Sequence, residues 1–136
     1  MKKHSTIPAV IIALSALTAA AGSQSFLRPC VHEDGSFGAC HWAGQALFGL
    51  ALLMGAEAVI AAAWKNESIR KGLYIAMVLT AVLGILVPGT LIGLCGMATM
   101  RCRALMRPAM TILFAVMGIA SAAGIYLSGE RTAGRQ

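Results

Sequence analysis

Charge is scarce in this sequence: Asp, Glu, Lys and Arg make up 12% of its 136 residues, and only five residues are acidic. Soluble domains carry roughly 25% charged residues, so the chain lacks the means to build a water-facing surface. Its 58% apolar content is more than a soluble core of this length hides. Aromatic residues are also few, at 6%, and no basic stripe is interleaved with them, which excludes a nucleic-acid surface built on stacking and phosphate contacts. No Cys-x-x-Cys pair, Ser-His-Asp set or phosphate-cradling glycine loop is present, nor are two carboxylates paired inside an apolar run. These absences argue against hydrolysis, nucleotide chemistry and fast thiol exchange.

What the sequence has is long uncharged runs. The charges cluster between apolar stretches at about 7–26, 43–64, 72–94 and 108–127. That is the pattern expected when burying an ion in hydrocarbon costs several kcal/mol. A helix rises 1.5 Å per residue, so about 20 residues cross a hydrocarbon core of about 30 Å, and each run is long enough. The expected fold is an all-α membrane protein of four transmembrane helices arranged as two helical hairpins in one domain, residues 1–136. Nothing remains for a separate soluble catalytic domain. The start of the chain, Lys2-Lys3 followed by an apolar stretch and Ala19-Ala20-Ala21-Gly22-Ser23, also fits a cleavable secretory signal, whose removal would leave three spans with the same loops.

Basic residues concentrate in cytoplasmic loops. With both termini cytoplasmic, Lys2, Lys3, Lys65, Arg70, Lys71, Arg131 and Arg135 lie inside, and Arg28, Arg101, Arg103 and Arg107 lie outside. Seven against four favours this orientation, and the net charge of +6 then reflects membrane topology. The outer arginines are expected on lipid phosphates or paired with Glu33 and Asp34.

Four cysteines fall in the two outer turns, Cys30 and Cys40 after the first span and Cys95 and Cys102 after the third. On the extracytoplasmic side disulfides form and persist. Structural disulfides are the leading reading, with three pairings open: local bonds would staple each turn, and crossed bonds would tie the hairpins together. A second reading is a metal site. Cys30, His32, Cys40, His41, Cys95, Met97, Met100 and Cys102 are soft or borderline ligands suited to Cu(I) or zinc, although no spacing matches a zinc motif. The third is thiol redox chemistry with a quinone, which a strained loop disulfide would permit.

Glu57 is the one ionisable side chain well inside a run. An intramembrane acid is a functional-site hypothesis, proton coupling or cation coordination. The plainer reading is a neutral carboxyl hydrogen-bonded to Thr80, Ser15 or a backbone carbonyl, or one that reaches toward Lys65. Ala51, Gly55, Ala58 and Ala62, with Gly118, Ala120, Ala122 and Gly124, are small residues that let helices approach. Met106, Met110 and Met117 recur on one face of the fourth span, as core filler before a metal conduit. Pro88-Gly89 is expected to end or kink the third helix.

Each half is span, outer cysteine turn, span, consistent with a parallel internal duplication. The motifs Gly38-Ala39-Cys40-His41-Trp42 and Leu94-Cys95-Gly96-Met97-Ala98-Thr99-Met100-Arg101-Cys102 resemble those of a domain-of-unknown-function family of small bacterial membrane proteins, over nearly the whole chain. The resemblance implies a multi-pass protein of the bacterial inner membrane and an accessory role beside an export-type ABC transporter. It supplies no catalytic residues. The first expectation is therefore a non-enzymatic accessory or interaction subunit with stapled outer turns. Metal handling and thiol–disulfide oxidoreduction are the alternatives.

Overall fold

The computed structural model describes residues 6–25, 27, 38–94, 96, 99 and 102–133. Its helices are α1 (Ile7–Gln24), α2 (Ala39–Ala63), α3 (Glu67–Leu86) and α4 (Arg107–Ala133), the last preceded by a widened π-type turn at Cys102–Met106. All four are long and apolar enough to cross a membrane. The expected all-α arrangement of four membrane-length helices is what forms.

Helix bounds follow local chemistry rather than the edges of the uncharged runs. α3 starts at Glu67, upstream of the last charge in its loop, because Asn66 caps it: the Asn66 Oδ1 accepts from the Ser68 N–H at 3.0 Å. Glu67 in the first turn also complements the positive end of the helix dipole. The same helix stops at Leu86 because Pro88 has no N–H to continue it, and Gly89 takes φ +105°, a left-handed conformation that disfavours side chains. α2 and α3 are joined by the short turn Trp64–Asn66, which forces them antiparallel.

The bundle closes as a ring in which α1 packs on α2, α2 on α3, α3 on α4 and α4 on α1. The α1/α2 and α3/α4 contacts are the most extensive, so the two hairpins are the main packing units. Each helix buries a stripe that advances alternately by three and four residues: Ala9, Ile12, Ala16, Ala19 and Ser23 on α1; Leu47, Ala51, Met54, Ala58 and Ala61 on α2; Arg70, Tyr74, Met77, Ala81 and Gly84 on α3. Met106 in the π-type turn, and Met110, Phe114, Met117, Ser121, Gly124 and Ser128 on α4, continue with steps of three or four. A repeat near 3.5 residues keeps one seam facing the partners in near-parallel packing.

Small residues set how closely the helices approach. A Cβ on Gly55 would lie 3.5 Å from the Ala16 Cβ, joining α2 to α1. On the other hairpin, aromatic rings fill the space left by glycine. A Cβ on Gly124 would lie 2.7 Å from ring atoms of Tyr74, and a Cβ on Gly84 would overlap the Phe114 ring. Both hairpins thus pair alanine with glycine, Ala81 lying 3.3 Å from where a Gly118 Cβ would stand, and the second adds two ring-on-glycine contacts.

Candidate functional site

Alternation of the helices gives the bundle two ends. The start of α2, the end of α3 and the start of α4 share one, the cysteine end; the Trp64–Asn66 turn, the start of α1 and the end of α4 share the other, the terminal end. Cys40 in the first turn of α2 and Cys102 at the head of the π-type turn therefore lie at the same end, and both are only 1% exposed. His41 is half-buried and meets the exposed Trp42 edge-on, with ring centroids 5.7 Å apart at 81°. Cys30, His32, Cys95, Met97 and Met100 lie outside the described residues. Among the described residues no three of His, Cys, Asp and Glu gather as a metal-binding group.

The segment after α3 folds back on the cysteine end. The Gly89 N–H donates to the Ile92 carbonyl and the Ile92 N–H to the Val87 carbonyl, each at 3.1 Å. The Arg107 guanidinium lies 3.2 to 3.4 Å from where a Gly89 Cβ would stand. Arg103 donates through Nη1 to the Gly96 carbonyl at 3.3 Å. Arg103 thus bonds to the segment after α3 and Arg107 packs against Gly89, roles that sequence reading did not assign to them.

Trp42 and Trp64 bracket α2 and both stand out from the bundle, 63% and 52% exposed. The step from position 42 to position 64 corresponds to about 33 Å of helix, close to the hydrocarbon thickness. Tryptophan prefers the membrane–water interface, and this spacing matches two interfaces.

Glu57 lies half-buried beside the inward stripe of α2, one turn after Met54. Its Oε2 is buried and has no hydrogen-bond partner among the described residues. Thr80, one of the partners expected from the sequence, instead donates its hydroxyl to the Ala76 carbonyl at 3.0 Å. The Tyr74 side chain is 0% exposed, and its hydroxyl likewise finds no partner among the described residues. Buried polar atoms left in that state are costly and few in native proteins.

Toward the terminal end the interior becomes polar. Arg70 is 7% exposed, and its Nη1 lies 3.6 Å from the Glu67 Oε1 one turn earlier. Ser121 donates to the Met117 carbonyl at 2.7 Å, and Ser128 is buried one turn beyond Gly124. Arg70 and Tyr74 escaped the sequence reading, which counted Arg70 as a loop charge. The signal was present: Arg70, Tyr74, Met77, Ala81 and Gly84 form one continuous stripe of alternating four- and three-residue steps, so the inward face of α3 runs through the charged residue.

These features define a four-helix membrane bundle with buried sulfur at one end, an intramembrane acid, and a polar interior at the other end. Residues 9–127 match the family described as a domain of unknown function (DUF4418), and the chain belongs to it. No curated protein and no solved structure matches the chain.

Proposed function

We propose that this chain is a non-enzymatic accessory or interaction subunit of the bacterial inner membrane, in which disulfides among Cys30, Cys40, Cys95 and Cys102 fix the cysteine end as a rigid surface for a membrane partner. The observation that carries this reading is the burial of Cys40 and Cys102 at 1% exposure each. Reactive thiols sit in partly exposed, electropositive surroundings, whereas structural cysteines are buried and inert. Burial closes the approach that an exchanging thiol or a quinone would need, so it disfavours the oxidoreductase reading. A fixed cysteine end is also consistent with the Arg103 hydrogen bond to the adjoining segment and with Arg107 packed against Gly89.

The resemblance points to an export-type ABC transporter as the partner. The excess of basic residues at the terminal end supports an orientation with both termini cytoplasmic, which puts the cysteine end in an oxidising compartment. Mass spectrometry of detergent-purified protein, denatured and alkylated with and without prior reduction, tests the reading. No cysteine is expected to take label before reduction and all four afterwards. Free thiols accompanied by stoichiometric copper or zinc in elemental analysis would replace it with the metal-binding reading of Cys30, His32, Cys40, His41, Cys95, Met97, Met100 and Cys102. Thiols that change state on adding quinone would replace it with redox chemistry.

A further inference from the structure

Glu57 lies inside the membrane without an answering charge. It stands six residues before the last residue of α2, about 9 Å along the axis from that end. Its Oε2 has no hydrogen-bond partner among the described residues, and no ion pair among them includes it. Lys65, Arg70 and Lys71, the described cations of the α2/α3 hairpin, all lie nearer the terminal end.

The acid faces the seam between α2 and α3. Gly55, which meets Ala16 of α1, is two positions away and so points about 200° round the helix from Glu57. In the ring of helices the other neighbour of α2 is α3. Leu53 and Ile60, one turn before and after Glu57 on the same row, are 48% and 42% exposed. Glu57 itself is half-buried, so this row opens to the outside of the bundle. The α2/α3 seam is also the least extensive of the four helix contacts. On α3, Thr80, Ala76 and Gly72 form one row that passes from buried through half-buried to exposed. Ala76 and Gly72 bracket the level of Glu57, at about 13.5 and 7.5 Å from the start of the helix. Nothing lies within 4 Å of where a Gly72 Cβ would stand. Small side chains on an open row beside the acid leave room for another helix to approach.

We propose that this seam receives a transmembrane helix of a partner protein that carries a lysine or arginine at the depth of Glu57. Charge complementarity selects the occupant. An ionisable group in hydrocarbon is costly alone and pairs with its opposite, and this carboxyl has no cation among the described residues. Lipid headgroup amines lie beyond the end of α2, about 10 Å away, out of reach. A second copy of the chain, inserted in the same orientation, would bring another Glu57 to the same depth, where like groups meet. A basic side chain on a neighbouring helix supplies the missing charge at the right level, and Leu53, Ile60 and Gly72 supply the surface on which that helix lies. This surface is within the membrane, involves none of the four cysteines and stands whatever their redox state.

The probe is a synthetic transmembrane peptide of about 22 leucine and alanine residues with one lysine about seven residues from its end. The full chain and the peptide are reconstituted in phosphatidylcholine vesicles, and association is read as energy transfer from Trp42 and Trp64 to an acceptor on the peptide. The lysine peptide is expected to associate at least about tenfold more strongly than the same peptide with leucine in place of lysine. Glu57→Gln should abolish that difference, and Glu57→Lys should transfer the preference to a peptide that carries glutamate instead. Gly72→Leu, whose Cβ meets no neighbour in the fold, should block docking, whereas Ala123→Leu on the exposed side of α4 should not. The proposal is overturned if the parent chain does not distinguish the lysine peptide from the leucine peptide, if Glu57→Gln keeps the distinction, or if Gly72→Leu leaves docking intact. Should Glu57→Lys fail to fold, Glu57→Gln decides. Energy transfer between two differently labelled copies that is lost in Glu57→Gln, with no response to the lysine peptide, would overturn it and assign the seam to a second copy.

Discussion

Gly84 and Gly124 should tolerate a side chain poorly, and the reason is steric. A Cβ on Gly124 would stand 2.7, 2.7 and 2.8 Å from three atoms of the Tyr74 ring, and one on Gly84 would overlap the Phe114 ring. Ordinary carbon–carbon contacts sit at 3.5 to 4.0 Å, so either ring must retreat by about 1 Å. Both rings are fully buried and have nowhere to go without moving a helix. Overpacking of this kind costs about 1–3 kcal/mol, while replacing glycine by alanine in a helix returns about 1 kcal/mol. Gly49 and Gly72 are also helical, but nothing lies within 4 Å of their would-be Cβ, so Gly49→Ala and Gly72→Ala keep the propensity gain without the clash. The informative quantity is the difference between sites, in which propensity cancels: Gly84→Ala and Gly124→Ala should be about 1–3 kcal/mol less stable than the two controls. Unfolding in mixed detergent and SDS, followed by circular dichroism, measures it. Phe114→Leu should restore part of the loss in Gly84→Ala and none in Gly124→Ala. If all four alanine variants unfold at the same SDS fraction, close approach through glycine is not what holds α3 to α4.

Gly89→Ala should cost about 1–2 kcal/mol because φ +105° strains an L-residue; Arg107→Ala should not rescue it, since the penalty lies in the backbone, and a rescue in the same SDS assay would show that the guanidinium contact was the cause. Arg70→Ala should destabilise by about 1–3 kcal/mol, as it removes a buried charged partner from Glu67, whereas the exposed Lys65→Ala should stay within about 0.5 kcal/mol; equal effects would mean that Arg70 reaches water. Single-tryptophan variants retaining Trp42 or Trp64 should be quenched best by lipids brominated near the headgroup, and strong quenching by bromines at the chain ends would refute their interfacial placement.

Much of the fold was open to reading because its cause is simple. Ions avoid hydrocarbon, so long uncharged runs had to be spans, and the Pro88-Gly89 pair had to stop a helix. The edges were harder. Nothing in the charge pattern says that Asn66 caps α3 and draws Glu67, Arg70 and Lys71 into its first turns, because the cap is a local hydrogen bond that outweighs the loop reading. Gly124 was legible as a small packing residue, but its partner Tyr74 was not, since which ring fills a notch depends on the register of two helices. Glu57 stood out as a lone acid. That its Oε2 has no partner among the described residues was hidden: the Thr80 hydroxyl, one of the expected partners, donates to its own helix backbone, a choice that hydroxyls inside helices commonly make.

The different fates of methionine and leucine carry more weight here than they would in a soluble protein. In water the hydrophobic effect drives every large apolar side chain inward, and a buried methionine is unremarked filler. In a bilayer the lipid is as apolar as the interior, so that driving force vanishes between helices and only packing, hydrogen bonding and specific chemistry sort residues between the two sides. Leucine here behaves as the bilayer allows, mostly facing outward. The interior stripes of α1 and α2 are built largely of alanine, so small residues already satisfy the need for close approach. Where the interior admits something larger it takes Tyr74, Phe114, Ile12, Leu47 and all five described methionines. Unbranched thioethers fill the irregular space between alanine-lined helices better than branched leucine does, which accounts for the inward placement of all five described methionines.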